Sequence, residues 1–228
     1  TFFIYPLAAF PVALAVWFFV HEPETKNNLI DKEEYREGLK GVFSQFNLPL
    51  VLLIGSLVIS VILGSMFLLT ELLPHREEAT SVLDGLILAL PMFALAIFSI
   101  LAGWLLPQWG PEKLLIAGLG MMGASLIGAA LTLGRFAFFV AIFGLGIGGG
   151  LALPPLDTLV TSSVGGEQRG VLTTLAGSLR SLGVALAPIF LGYFLNFGSP
   201  WPFWVMTILL LISLLLTCLY IREEEMLP

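Results

Sequence analysis

The chain has 228 residues, of which 57% are hydrophobic and only 11% charged, and its mean hydropathy is +0.98. Soluble domains carry about 25% charged residues, so this composition excludes an ordinary soluble fold. The net charge of −6 lies mostly in Glu22–Glu37 and Glu223–Glu225. The chain therefore lacks the basic surface of a nucleic-acid-binding protein, and its single cysteine, Cys218, excludes a disulfide framework.

Seven apolar stretches are long enough to cross a bilayer, which takes about 20 residues in a helix. In chain order they are Phe2–Val20, Pro49–Leu72, Val82–Leu106, Leu114–Leu133, Phe136–Val160, Val171–Leu195 and Trp201–Ile221. The ten-residue alternating segments of a membrane β-barrel do not occur. The sequence predicts an all-α membrane protein with seven transmembrane helices.

These spans divide the chain into four segments. Residues 1–21 form the first predicted helix, residues 22–48 a long connector, residues 49–221 a bundle of six helices, and residues 222–228 a tail. One helical face of the connector is apolar, which predicts an amphipathic helix lying on the membrane surface. That face carries Tyr35, Leu39, Val42, Phe43 and Phe46.

The basic residues are distributed unequally between the two sides of the predicted bundle. The connector's side holds Lys26, Lys32, Arg36, Lys40, Lys113, Arg169 and Arg222, whereas the opposite side holds Arg76 and Arg135. Cytoplasmic loops of membrane proteins carry an excess of Lys and Arg. We therefore expect the connector and the carboxy terminus to be cytoplasmic, in a plasma or inner membrane.

The fifth span contains a glycine-rich run, FGLGIGGGLALPPL, with the Gly-x-Gly-x-x-Gly spacing of a dinucleotide-binding turn. Such a turn requires a preceding strand and the start of a soluble helix, and an apolar span provides neither. We interpret the glycines instead as pairs at four-residue spacing, which let membrane helices approach closely. These pairs are Gly144 with Gly148 and Gly146 with Gly150.

Two further expectations concern this span. Gly120, Ala124 and Gly128 repeat the four-residue spacing on the preceding span, so we expect the two helices to pack together through them. Pro154 and Pro155 follow the glycines, and proline both removes a hydrogen-bond donor and clashes with the preceding turn. The helix is therefore expected to bend or break there.

Three charged residues are candidates for a transport pathway. Arg180 lies near the middle of its span, where an ionised group faces a cavity or a partner; alternatively it snorkels to the interface or forms a structural ion pair. Asp157 could pair with Arg169 or with Arg180, either as a structural latch or as a proton carrier. Glu71, near a membrane edge, is either solvated or a proton or substrate group.

Enzyme signatures are absent from the sequence. There is no Gly-x-Ser-x-Gly elbow, no His-Glu-x-x-His zinc pair and no Walker loop. We expect a protein that is not an enzyme and that uses no cofactor or metal.

Two motifs resemble those of major facilitator superfamily transporters. The stretch EQRGVLTTLAGSLRSLGVALAPIFLG is similar to the junction of the tenth and eleventh helices of drug:proton antiporters. Within it, Arg169 and Gly170 resemble a cytoplasmic Arg-Gly, and Gly183 and Pro188 a degenerate antiporter motif. GWLLPQWGPEKLL resembles the family's cytoplasmic loop motif, retaining Gly103 and Gly110 but not its Asp-Arg pair.

The resemblance implies the carboxy-terminal half of such a transporter, with the spans as helices six to twelve. It implies a small-molecule substrate bound between two halves near the membrane midplane, and coupling to a proton. Because Thr1 is not an initiating methionine, we expect an amino-terminal half upstream. The resemblance favours efflux of drug-like amphipathic molecules; the alternative is a non-transporting membrane scaffold or remnant.

Overall fold

The computed structural model describes residues 47–72, 81–131, 135–163, 169–198 and 200–220. These residues form six helices: α1 (Asn47–Leu72), α2 (Ser81–Trp109), α3 (Pro111–Leu131), α4 (Arg135–Ser162), α5 (Arg169–Leu195) and α6 (Trp201–Tyr220). All six are long and apolar enough to cross a membrane. Six of the predicted spans are thus confirmed, with ends that differ by three residues or fewer. The first span and the amphipathic connector helix lie outside the described residues.

Helix α4 is the most buried of the six, and α2 and α5 are the least buried. Helix α4 packs against α3, α2 and α1. In addition, α1 packs against α5, and α3 packs against α6. Aliphatic side chains from α1, α3 and α4 fill the space between them, including Ile54, Val58, Leu119, Leu126, Leu145 and Leu156. The bundle therefore has a closed centre at α1, α3 and α4, and α2 and α5 expose most of their surface.

The glycine run lies within α4 and contacts three neighbouring helices. A Cβ added at Gly148 would meet the backbone of α3, 2.7 Å from the carbonyl oxygen of Gly118, and one added at Gly150 would lie 2.6 Å from the carbonyl oxygen of Leu95 in α2. At Gly149 it would lie 2.5 Å from Ile62 of α1. At Gly148 and Gly150 a side chain would fill the space of a neighbouring backbone, so these positions require a small residue. At Gly149 the neighbour is the end of a side chain.

The other two glycines of the predicted pairs divide in the same way. A Cβ at Gly144 would meet Ser125 of α3, and one at Gly146 would overlap the backbone carbonyl of Pro91 in α2. Gly144 and Gly148 therefore face α3, and Gly146 and Gly150 face α2.

The expected stripe on α3 is wrong in part. Helices α3 and α4 do pack together, but the contact is made by Gly118, Met122 and Ser125. A Cβ at Gly120 would meet nothing within 4 Å, and Ala124 is exposed. Gly128 does lie beside Ala141 of α4. The error concerns which face of α3 meets α4. Positions 118, 122 and 125 lie on a different face from positions 120 and 124, and on an apolar helix the spacing alone does not show which face is packed.

Helix α4 does not break at its prolines. It continues as helix through Pro154 and Pro155 to Ser162. Neither proline has an N–H to donate, so the carbonyls of Gly150 and Leu151 lose their usual donors four residues later. One turn further on, the hydroxyl of Thr158 donates to the carbonyl oxygen of Pro154 at 3.0 Å.

The connection between α2 and α3 is a single residue, Gly110. Its φ is 77°, a left-handed conformation that side chains disfavour. Its N–H donates to the carbonyl oxygen of Leu106 at 3.0 Å, which ends α2, and Pro111 begins α3 at once. Such a tight connection places the end of α2 beside the start of α3.

Candidate functional site

An ion pair joins α4 and α5. Nη2 of Arg180 donates to Oδ1 of Asp157 at 2.6 Å. Arg180 lies eleven residues after the start of α5, about 16 Å along the helix axis. Asp157 lies five residues before the end of α4, so the guanidinium reaches back toward the Arg169 end of its own helix. Side chains of helices lean toward the helix amino terminus, which favours this direction.

The two partners differ in exposure. The side chain of Arg180 is 23% exposed and that of Asp157 is 58% exposed. The helices that carry them are long and apolar enough to span a membrane. An ionised carboxylate inside a span is unfavourable against lipid and faces protein or a water-filled cavity. The exposed side of Asp157 therefore marks a face of the bundle that is unsuited to lipid.

Helix α1 contacts α5 around Arg180. A Cβ added at Gly55 would lie 3.4 Å from both Nε and Nη2 of the guanidinium. The hydroxyl of Ser56 donates to the carbonyl oxygen of Leu179 at 2.8 Å. One turn along, Gly183 of α5 packs against the hydroxyls of Ser56 and Ser60.

The sequence analysis did not select these α1 residues. A signal was present, because Ser56, Ser60 and Gly64 recur at four-residue spacing, as do Gly183 and Ala187 on α5. Paired small residues at this spacing favour close helix contact in membranes. The spacing nevertheless does not indicate which of six helices is the neighbour, nor that a guanidinium lies against Gly55.

The exposed face of α5 changes character along its length. The half nearer Arg169 exposes small and hydroxyl residues: Thr173, Thr174, Gly177, Ser178 and Ser181. The half nearer Leu195 exposes large apolar and aromatic residues: Leu182, Leu186, Ile189, Phe190 and Tyr193. Tyr193 lies edge-on to Phe194 and Phe197, with ring centroids 5.6 and 5.5 Å away. A molecule lying along this face would meet polar groups at one end and aromatic rings at the other.

The remaining predicted site residues lie apart from the ion pair. Glu71 is exposed at the far end of α1, one residue before the helix ends. Arg169 and Gly170 are exposed at the start of α5, and the pairing of Asp157 is with Arg180. A Cβ added at Gly103 or Gly170 would meet nothing within 4 Å. Pro188 lies inside α5, which continues past it to Leu195.

The fold and the site define a multi-pass helical membrane protein. The chain matches the Major Facilitator Superfamily over residues 76–228, more than half of its length, and it belongs to that family. The resemblance found in the sequence is thereby confirmed. Membership implies a protein embedded in the bilayer and built on the fold of this transporter family.

Several curated relatives match at low identity. The chain is 30% identical over 176 residues to a bacillibactin exporter of Bacillus subtilis (strain 168), covering 74% of this chain and 43% of the relative. It is 28% identical over 196 residues to the multidrug resistance protein MdtG of Salmonella dublin, covering 82% and 47%. The chain thus spans about half the length of these relatives.

Solved structures show the same fold. FucP, a major facilitator transporter in its outward conformation, superposes with a TM-score of 0.73 at 13% identity, covering 94% of this chain and 52% of FucP. A D-xylose-proton symporter superposes with a TM-score of 0.63 at 19% identity, covering 79% and 49%. Both matches extend over about half of the solved chains.

Proposed function

We propose that this chain is the carboxy-terminal half of a proton-coupled transporter that exports small amphipathic molecules from the cytoplasm. The observation that carries the proposal is the ion pair between Arg180 and the half-exposed Asp157. The names of the relatives, an exporter and a multidrug resistance protein, support the direction and the substrate class.

In this proposal Asp157 is the proton-binding group. While it is ionised, its charge-assisted hydrogen bond to Arg180 ties α4 to α5. A proton on the carboxylate removes its charge, so the attraction to the guanidinium falls and the two helices are released from each other. Loss of the proton on the other side of the membrane restores the pair. In this proposal the two arrangements of α4 and α5, paired and released, are the two states between which the protein exchanges protons for substrate.

The substrate class follows from the exposed face of α5. Its hydroxyl-bearing half suits a polar group, and its aromatic half, around Phe190 and Tyr193, suits a hydrophobic body. We place this face toward a second, amino-terminal half, because the family binds substrate between halves and the chain covers about half of its relatives. The connector is placed in the cytoplasm by the distribution of Lys and Arg.

The test is transport by vesicles that contain the transporter with both halves, loaded with a pH-sensitive dye and supplied with an amphipathic fluorescent substrate. We expect Asp157→Asn and Arg180→Ala to abolish proton-linked efflux while both proteins still insert. Glu71→Gln neutralises the other candidate carboxylate, which is exposed at the far end of α1; if Asp157 is the proton-binding group, this variant should transport like the wild type. The 228-residue chain alone should not transport.

Other results would assign another role. Wild-type proton movement in Asp157→Asn would mean that the pair is structural. No substrate movement by the two-half protein under any gradient would favour the alternative of a non-transporting scaffold or remnant.

A further inference from the structure

Two other described helices, α4 and α1, contact the Arg180 side chain, which is 23% exposed. Asp157 of α4 accepts its hydrogen bond, whereas α1 contributes Gly55 and Ser56. The hydrogen of Gly55 leaves a space that just admits a methyl group, since a Cβ there would lie 3.4 Å from two guanidinium nitrogens. A γ atom at position 55 that points toward Arg180 would displace the guanidinium.

The second contact fixes the backbone from which Arg180 extends. The Ser56 hydroxyl donates to the carbonyl oxygen of Leu179, the residue immediately before Arg180. By contrast, the hydroxyl of Ser60 donates within α1, to the carbonyl oxygen of Ser56 at 2.6 Å. Ser56 therefore links two helices at the level of the ion pair.

We infer that Gly55 and Ser56 are positioning residues: α1 holds the Arg180 guanidinium against Asp157 while taking no part in the ion pair. The inference rests on the proposed function for its consequence, namely that α1 controls when the pair forms. A long arginine side chain has many rotamers. The α1 surface at Gly55 excludes some of these rotamers and so favours the one that reaches Asp157. Movement of α1 away from α5 would remove both this surface and the hydrogen bond to Leu179.

The contact can be measured without any transport assay. The protein is labelled with carbon-13 at aspartate and nitrogen-15 at the arginine side chains, inserted in lipid vesicles, and examined by solid-state NMR. A dipolar coupling between the aspartate carboxyl carbon and an arginine Nη reports the ion pair. The chain has three aspartates, and loss of the signal in Asp157→Asn assigns it.

The Gly55 series should be graded. Gly55→Ala should retain the coupling because its methyl group reaches ordinary van der Waals contact, and Gly55→Leu should lose it. Gly192→Leu is the matched control: it adds the same bulk to α5, twelve residues beyond Arg180, where a Cβ would meet nothing within 4 Å. It should retain the coupling. Coupling that survives in Gly55→Leu, or that disappears equally in Gly192→Leu, would overturn the assignment of Gly55.

The serine pair tests the same inference without added bulk. Ser56→Ala should weaken the coupling, whereas Ser60→Ala, which removes a hydroxyl bonded within α1, should leave it unchanged. Equal coupling in the two variants would remove Ser56 from the proposal. The NMR result is independent of the transport result. A wild-type protein that moves no protons would refute the proposed proton-coupled transport, while the NMR series would still decide whether α1 positions Arg180.

Discussion

A close backbone contact between α3 and α4 gives a quantitative prediction. A methyl group at Gly118 of α3 would lie 2.7 Å from the amide nitrogen of Ala152 and 2.8 Å from the carbonyl oxygen of Gly148. Contacts between non-bonded heavy atoms are most favourable at about 3.5 Å or more, so α3 and α4 must separate by roughly 0.8 Å to relieve the shorter contact. Both atoms belong to the backbone, and no rotamer change relieves the overlap.

The size of the effect follows from opposing contributions. Overpacking of this kind costs about 1–3 kcal/mol, and replacing a helical glycine by alanine returns about 0.5–1 kcal/mol. Taking the middle of both ranges, we expect Gly118→Ala to lower the free energy of unfolding by about 1 kcal/mol. Gly123→Ala is the matched control on the same helix. Its methyl group would meet nothing within 4 Å, so it should be neutral or stabilise by up to about 1 kcal/mol.

The measurement is reversible unfolding of the purified protein in mixed micelles, followed by tryptophan fluorescence and circular dichroism. The quantity of interest is the difference between the two alanine variants, which removes the common contribution of helix propensity. Equal stability of Gly118→Ala and Gly123→Ala would refute the reasoning, because it would mean that α3 and α4 are not in backbone contact at this level.

Two further predictions concern the α2–α3 connection and the ion pair. Gly110→Ala forces a side chain into a left-handed conformation, so it should destabilise the protein by about 1–2 kcal/mol in the same unfolding measurement. Gly103→Ala, at an open helical position, should not, and equal effects would contradict the role of φ. Arg180→Lys keeps the charge but loses the planar group beside Gly55, so its proton-linked efflux should fall between those of the wild type and Arg180→Ala. Wild-type efflux would show that charge alone suffices.

The amino-acid sequence by itself determined the spans, because an apolar helix must satisfy its own backbone hydrogen bonds in lipid. It also identified the glycines of α4 as packing residues and Arg180 as an unusual charge within a span. It predicted that α4 bends or breaks at Pro154 and Pro155, and the helix does not break there. Proline's missing donor is a local fact, whereas the continuity of the helix depends on the neighbours packed around it.

Only the tertiary structure decided which partner each of these residues meets. Asp157 had two candidate arginines, and the packing of α4 near α5 selected Arg180. The two glycine pairs of α4 face two different helices, α3 and α2. On α3 the contact with α4 is made at Gly118 and not at Gly120. Gly55 lies against the guanidinium of Arg180, which is 125 positions away in the chain. The physical reason is that helical periodicity fixes which residues share a face, but in helices that are apolar on nearly every side it does not fix what that face touches.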